Sequence, residues 1–161
     1  MKYSTLSLDI DANSKPFSGI FPFKVKKTIT FAGGTTDAIG DDGGALDPFT
    51  IFTVTGDVLV LVIGVCKTTL VGAATLEVGV TDATAALLAQ LANATILVAN
   101  EMWGPDGTPT LAEAMTLRAH GIGGGLDIIG TVGSTDITAG SIDFYCFFQP
   151  LSDDGSVSAS A

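Results

Sequence analysis

Basic residues and long apolar runs are scarce in this chain of 161 residues. Seven Lys and Arg stand against 17 Asp and Glu, a net charge of -10, which argues against the clustered basic face that nucleic acid binding requires. The longest stretch without a charged or conventional polar side chain, "VLVLVIGVC" at 58–66, is nine residues long. Because a membrane-spanning helix needs about 20 apolar residues, we expect no membrane span.

Residues suited to metal binding or nucleophilic catalysis are also few. The chain has one histidine and two cysteines, with no CxxC or HxxxH spacing typical of zinc sites and no GxSxG nucleophile elbow. Cys66 and Cys146 lie in apolar runs, which predicts buried, reduced thiols. We therefore expect no enzyme activity, no cofactor, and no catalytic, cofactor-binding or metal-binding residues.

The loop at 32–48, "AGGTTDAIGDDGGALDP", offers the sharpest chemical alternative. Asp37, Asp41, Asp42 and Asp47 bring four carboxylates together, and calcium prefers oxygen ligands of this kind. Their spacing matches no EF-hand loop and lacks its terminal bidentate Glu. A solvated acidic loop is the preferred interpretation, and calcium binding stays open.

Glycine, threonine and valine dominate the remaining sequence. Such a composition, with 20 glycines, is typical of short strands joined by tight turns, and 47% hydrophobic residues can form the core of one domain. Alternation and turn signals predict strands at 25–31, 49–55, 57–68, 74–80, 95–99, 112–119, 126–132 and 141–149. The Ala- and Leu-rich segment 82–93 predicts a helix. The predicted fold is an all-β sandwich of jelly-roll or Greek-key type with one short inserted helix.

Lysine is concentrated at the start of the chain. Residues 1–27 carry five lysines and two aspartates, a net charge of +3, whereas the other 134 residues have two basic and 15 acidic residues, a net charge of -13. We predict a basic N-terminal arm at 1–23, a body at 24–152 and a flexible tail at 153–161. The arm is expected to contact an acidic neighbour, with another copy of the chain as the nearest candidate, unless its lysines serve solubility alone.

The apolar run at 58–66 raises a question of burial, because as a strand it is apolar on both sides. One side is predicted to enter the core and consists of Val58, Val60, Val62 and Cys66. The other side is predicted to lie under the helix or at a subunit contact and consists of Leu59, Leu61, Ile63 and Val65. The candidate assembly contacts are therefore Lys15, Lys24, Lys26, Lys27, Leu59, Leu61 and Ile63.

Three segments carry a family resemblance. They are "TITFAGGTTDAIGDDGG", "TVTGDVLVLVIGVCKTTLVGAATLEVGVTDATAALLAQ" and "GSIDFYCFFQPLSDDG", within residues 28–155. Together they resemble small structural proteins of tailed bacteriophage virions, chiefly through "VTGDV", "EVGVTDATAAL" and "DFYCFFQPLS". The resemblance implies a capsid decoration or cement protein on the outer capsid surface, with tail or head-fibre components as the next candidates. Residues 1–27 lie outside it.

These observations lead to two functional expectations. The first is a non-enzymatic virion protein that is made in the host cytoplasm, since the N-terminus lacks the apolar region of a secretory signal. It would form a homotrimer and contact the major capsid protein or another virion protein, without nucleic acid or membrane. The alternative is a carbohydrate-binding β-module of a fibre, tail or cell-surface protein, using Trp103, Tyr145 or the 32–48 loop.

Overall fold

The computed structural model describes residues 21–35, 37–112 and 118–161. In these ranges the chain forms ten β-strands and one 3₁₀ turn, which confirms the predicted all-β class. The strands are β1 (Phe23–Thr30), β2 (Phe49–Thr55), β3 (Val58–Val71), β4 (Thr75–Val80), β5 (Ala83–Leu91), β6 (Met102–Trp103), β7 (His120–Ile122), β8 (Ile128–Gly133), β9 (Ala139–Pro150) and β10 (Ser156–Ala159). None of the described residues belongs to a helix long and apolar enough to cross a membrane.

The strands form two antiparallel sheets. In sheet A the order is β1-β9-β3, and the other edge of β3 pairs with both β6 and β7. In sheet B the order is β10-β2-β8-β4-β5. The two longest strands, β3 and β9, pair from Val58 opposite Pro150 to Val71 opposite Ala139. They form the centre of sheet A.

Both sheets contribute side chains to one hydrophobic core. The predicted inward side of β3 is confirmed, because Val58, Val60, Val62 and Cys66 are each at most 1% exposed. On the sheet B side, the ring of Phe49 packs against the backbone of Gly130, where any Cβ would overlap it. Trp103 of β6 is fully buried and packs edge-on against Phe144, with ring centroids 6.3 Å apart.

The predicted helix at 82–93 is wrong, since this segment forms β5 at the edge of sheet B. Leu88 and Leu91 are three residues apart, a spacing typical of one helix face. They lie opposite Val78 and Leu76, which are only two residues apart, because a register shift adds a residue to β5. Pairing with β4 and burial of both leucines outweigh the high helix propensity of the Ala and Leu residues, because an isolated helix of this length is only marginally stable.

The predicted strand at 95–99 is also wrong. Its first residues lie in the 3₁₀ turn Ala94–Ile96, where the side chain of Asn93 accepts a hydrogen bond from Thr95 N at 3.0 Å. The apolar character of the segment instead serves burial, since Leu97 is fully buried. Residues 113–117 of the predicted strand at 112–119 lie outside the described ranges, as do residues 1–20 of the predicted arm.

The C-terminal segment at 153–161 was predicted to be a flexible tail, but Ser156–Ala159 form β10. This strand pairs with β2 over four residues, from Ser156 opposite Thr55 to Ala159 opposite Phe52. The apolar side chain of Val157 is 8% exposed and joins the core, while the serines on either side of it are exposed. Because the strand is short and mostly polar, its composition alone resembles that of a disordered segment.

Candidate assembly surface

Three neighbouring strands of sheet A place lysines and apolar side chains on one surface. Residues that face each other across an antiparallel pair point to the same side of the sheet. Cross-strand rows join Lys24, Phe147 and Leu61, then Lys26, Tyr145 and Ile63, then Thr28, Asp143 and Val65. The outer face of sheet A is defined here as Lys24, Lys26, Thr28, Leu59, Leu61, Ile63, Val65, Asp143, Tyr145 and Phe147. Five of the seven predicted contact residues belong to it.

Leu61 is buried on this face without belonging to the core. It is 4% exposed, yet it lies between Val60 and Val62, whose side chains point into the core. Ile63 on the same side is half-buried. The predicted helix cannot cover these residues, because its segment is a strand of the other sheet. A subunit contact at this face stays a prediction.

The polar part of the face is organised around Asp143, which is 5% exposed. Lys26 Nζ lies 2.7 Å from its Oδ2, and Thr28 Oγ1 donates a hydrogen bond to its Oδ1 at 2.6 Å. Desolvation raises the pKa of this carboxyl, but the bonds from Lys26 and Thr28 and the charges of Lys26 and Lys67 outweigh it, so the pKa is lowered. The bond to Asp143 likewise raises the pKa of Lys26. Asp143 therefore stays ionised and holds Lys26 in place.

The outer face of sheet A is basic as well as apolar. The Nζ atoms of Lys24 and Lys26 lie 6.0 and 5.8 Å from the ring centroid of Tyr145, within reach of a cation–π interaction. Lys67, exposed next to Cys66 of β3, acts on the pKa of Asp143. Of the five Lys and Arg residues in the described ranges, three therefore lie on this face or beside it. A chain of net charge -10 concentrates its positive charge here.

The other two predicted contact lysines have different positions. Lys27 lies opposite Phe144 of the core side, and its Nζ donates hydrogen bonds to the backbone oxygens of Ser160 (2.6 Å) and Ala161 (3.2 Å). It thereby links β1 of sheet A to the segment that follows β10 of sheet B. Lys15 lies outside the described ranges.

Three residues of this face, Asp143, Tyr145 and Phe147, were not among the predicted contacts. All three lie in "SIDFYCFFQ" at 141–149, and they alternate with the buried residues of β9. Alternation with a period of two was therefore enough to predict that these three side chains lie on the same side of the strand. The three residues were not predicted as contacts because the segment is almost uniformly apolar, so neither side of the strand can be identified as the outer one by its polarity.

Two of the four aspartates of the 32–48 loop accept hydrogen bonds from the backbone of the fold. The Asp41 carboxylate accepts hydrogen bonds from Gly34 N at 2.6 Å and Ala38 N at 3.0 Å, and Asp47 accepts one from Val132 N at 3.0 Å. No group of three or more His, Cys, Asp or Glu side chains within the described residues is arranged to hold a metal ion. The loop is thus a structural element in which carboxylates satisfy amides.

Trp103 and the two cysteines are inaccessible to ligands. The Trp103 ring is fully buried, and its Nε1 donates a hydrogen bond to Ala89 O at 3.2 Å. Cys66 and Cys146 are buried free thiols, as predicted. Burial raises the pKa of Cys66 to about 11 and that of Cys146 to about 12, so both thiols stay protonated at neutral pH.

Comparisons with protein-family models, with curated proteins and with solved structures give no match for this chain.

Proposed function

We propose that this chain is a non-enzymatic structural protein that assembles through the outer face of sheet A. The observation that carries the proposal is the register of β1, β9 and β3, which gathers Leu61, Ile63, Lys24 and Lys26 on one surface. Leu61 is already buried in the single chain, whereas Ile63 is half-buried, so a partner that covers Ile63 gains part of the about 1.5–3 kcal/mol that full burial of such a side chain contributes. Lysines on the same surface favour an acidic partner and speed its approach.

We further propose that the assembly is a virion, with the chain as a capsid decoration or cement protein on the outer surface of the head. The resemblance of residues 28–155 to tailed-phage virion proteins supports this assignment. A homotrimer that contacts the major capsid protein would stabilise the shell through a weak contact repeated in many copies. Two antiparallel sheets around one core, with the chain crossing between them, support a β-sandwich of jelly-roll or Greek-key type.

A binding assay with phage heads tests this proposal. Purified heads that lack the chain are mixed with the wild-type protein and sedimented, and the bound copies are counted by quantitative mass spectrometry. We expect saturable binding to the wild type and at least tenfold weaker binding to an Ile63→Ser variant. A Thr53→Ser variant, altered on the outer side of sheet B, is the matched control and should bind normally. No binding of the wild type would contradict a role in the capsid.

The carbohydrate-binding alternative is less well supported. Trp103, its principal stacking residue, is fully buried. The ring of Tyr145 already has the ammonium groups of Lys24 and Lys26 within 6.0 Å of its centroid, so a sugar would compete with them for the ring. Tryptophan fluorescence should accordingly be blue-shifted and unchanged by soluble glycans. A red-shifted spectrum that responds to a glycan would instead favour the alternative.

A further inference from the structure

The end of the body at which β3 finishes brings four segments together. Hydrogen bonds join the 32–44 loop to residues 136–138, these residues to β3, and β3 to residues 96–99. The bonds run from Asp42 N to Asp136 Oδ1 (2.9 Å), from Thr138 N to Val71 O (2.8 Å) and from Leu70 N to Leu97 O (3.3 Å). The resulting surface is therefore held by the fold as one unit.

This surface is acidic and apolar. A shallow depression of about 370 Å³ is lined by Asp37, Asp41, Asp42 and Asp136. No described residue donates a hydrogen bond to the carboxylates of Asp37 and Asp42, which leaves both available to a partner. At the same end of the body, three apolar side chains are exposed by 40% to 51%. The acidic end is defined here as Asp37, Asp41, Asp42, Val71, Ile96, Val98 and Asp136.

We propose that the acidic end of one copy docks on the outer face of sheet A of a second copy. This inference rests on the proposed assembly function and names the occupant of the assembly surface. The two surfaces complement each other, because both are partly apolar while one carries Lys24 beside the Lys26–Asp143 ion pair and the other carries Asp37 and Asp42. Two outer faces placed against each other would instead bring lysines together. The contact is therefore heterologous, and it closes into a ring when the rotation between copies permits.

The opposite end of the body is a poorer partner for the lysines. Two of its aspartates bind their own chain, since Asp57 accepts a hydrogen bond from Gly124 N at 2.9 Å and Asp127 accepts one from Val54 N at 3.0 Å. Asp153 is exposed in the turn between β9 and β10 at that same end. It provides a matched position at which the same change of charge can be made away from the proposed contact.

Charge reversal tests the docking arrangement. Native mass spectrometry at tens of micromolar protein should show the wild type as a closed oligomer, a trimer of the 16.3 kDa chain. The exposed positions allow Lys24→Glu and Asp42→Lys without disturbing the fold, and each variant should weaken association about tenfold or more. The double variant, which exchanges the two charges, should recover the oligomer. Asp153→Lys should assemble as the wild type does.

The other outcomes show whether the docking proposal, the proposed function or neither of them fails. Loss of assembly in Lys24→Glu with normal assembly in Asp42→Lys would overturn the heterologous contact in favour of pairing between like faces. A double variant that stays monomeric would also overturn it. If the wild type is monomeric but binds heads through the outer face of sheet A, the docking proposal fails and the proposed function stands. If the charge exchange restores a ring that does not bind heads, the proposed capsid role fails and the docking proposal stands.

Discussion

The two sheets of this protein present opposite kinds of surface away from the core. The outer side of sheet B carries small polar residues and a hydrogen bond from Gln90 Nε2 to Glu77 Oε2 at 2.8 Å. It is defined here as Thr53, Thr55, Thr75, Glu77, Gln90 and Thr131. The outer face of sheet A has Leu, Ile, Val, Tyr and Phe side chains at equivalent places. Sheet B follows the alternation expected of a sheet with one solvated face, and sheet A departs from it. The outer side of sheet B also holds one apolar side chain, Ile129, which lies opposite Gly79 and is 7% exposed. Sheet A has several such side chains on its outer face and is therefore the better candidate for a second covering.

Replacing Leu61 with Asp on the outer face of sheet A should destabilise the fold far more than the same kind of change on the outer side of sheet B. A carboxylate at a position only 4% exposed loses hydration without gaining a partner, so we expect the free energy of unfolding to fall by about 3 kcal/mol or more. Thr53→Asp on the outer side of sheet B should change it by no more than about 0.5 kcal/mol. Urea denaturation measures the free energy of unfolding of both variants. A Leu61→Asp protein that is stable and assembles normally would show that the second covering does not exist.

The inner side of the same strands can be tested through its thiols. Because burial raises the pKa of Cys66 to about 11 and of Cys146 to about 12, both thiols stay mostly protonated in the folded state at pH 10. Their contribution to stability is complete below the unfolded thiol pKa of about 8.5 and is lost as the pH rises toward the folded values. The urea midpoint should therefore fall between pH 8.5 and 10, and it should fall less in a Cys66→Ala/Cys146→Ala variant. If the urea midpoint falls equally with pH in the two proteins, the raised pKa values of the two thiols are contradicted.

Asp143 distinguishes the two outer surfaces by their response to acid. The pKa of this carboxyl is lowered in the folded state, so its contribution is present above the unfolded value of about 3.9 and is lost as the pH falls through the folded value. The difference in urea midpoint between the wild type and Asp143→Asn should be larger at pH 6 than at pH 2.5. Thr53→Ser, a change without a titrating group on the outer side of sheet B, is the control and should show the same difference at both pH values. The same pH response in both variants would count against the Lys26–Asp143 pair.

Removing the N-terminal segment should have the smallest effect on the fold. The structure places the cut after residue 20, because Phe21 is 8% exposed and Phe23 stacks on Phe148 with ring centroids 5.2 Å apart. We expect a chain without residues 1–20 to keep its urea midpoint and to bind heads more weakly. Unchanged binding would refute a role for the arm in attachment. A deletion of residues 1–23 would confuse this result by removing both phenylalanines.

Much of the strand pattern could be predicted from the sequence, for identifiable reasons. The bounds of β2 and the inward side of β3 follow from local alternation and from apolar runs between turns. The prediction failed at β5, where a bulge gives the leucines a helix-like spacing, and at β10, where pairing with β2 orders a mostly polar segment. β10 depends on a partner strand that is distant in sequence, whereas β5 pairs with its neighbour β4 and was missed because of the bulge in that hairpin.

The candidate surface was predictable only in pieces. Alternation identified Leu59, Leu61 and Ile63 as one side of a strand, and charge clustering singled out Lys24 and Lys26. That these two groups share a surface depends on β9, which begins 68 residues after the end of β3 and still further from β1, and which pairs with both. Such register is set by long-range pairing, which local patterns do not contain.

Hydroxyl-radical footprinting asks directly whether the outer face of sheet A is covered in the assembled protein. Side-chain oxidation is compared between the assembled wild type and the Lys24→Glu variant at equal concentration. We predict that oxidation of Tyr145 and Phe147 is several-fold lower in the assembly, while Leu151, which is 61% exposed at the opposite end from the acidic end, reacts equally in both. Equal oxidation of Tyr145 and Phe147 in the two proteins would contradict the assignment of this face as the assembly surface.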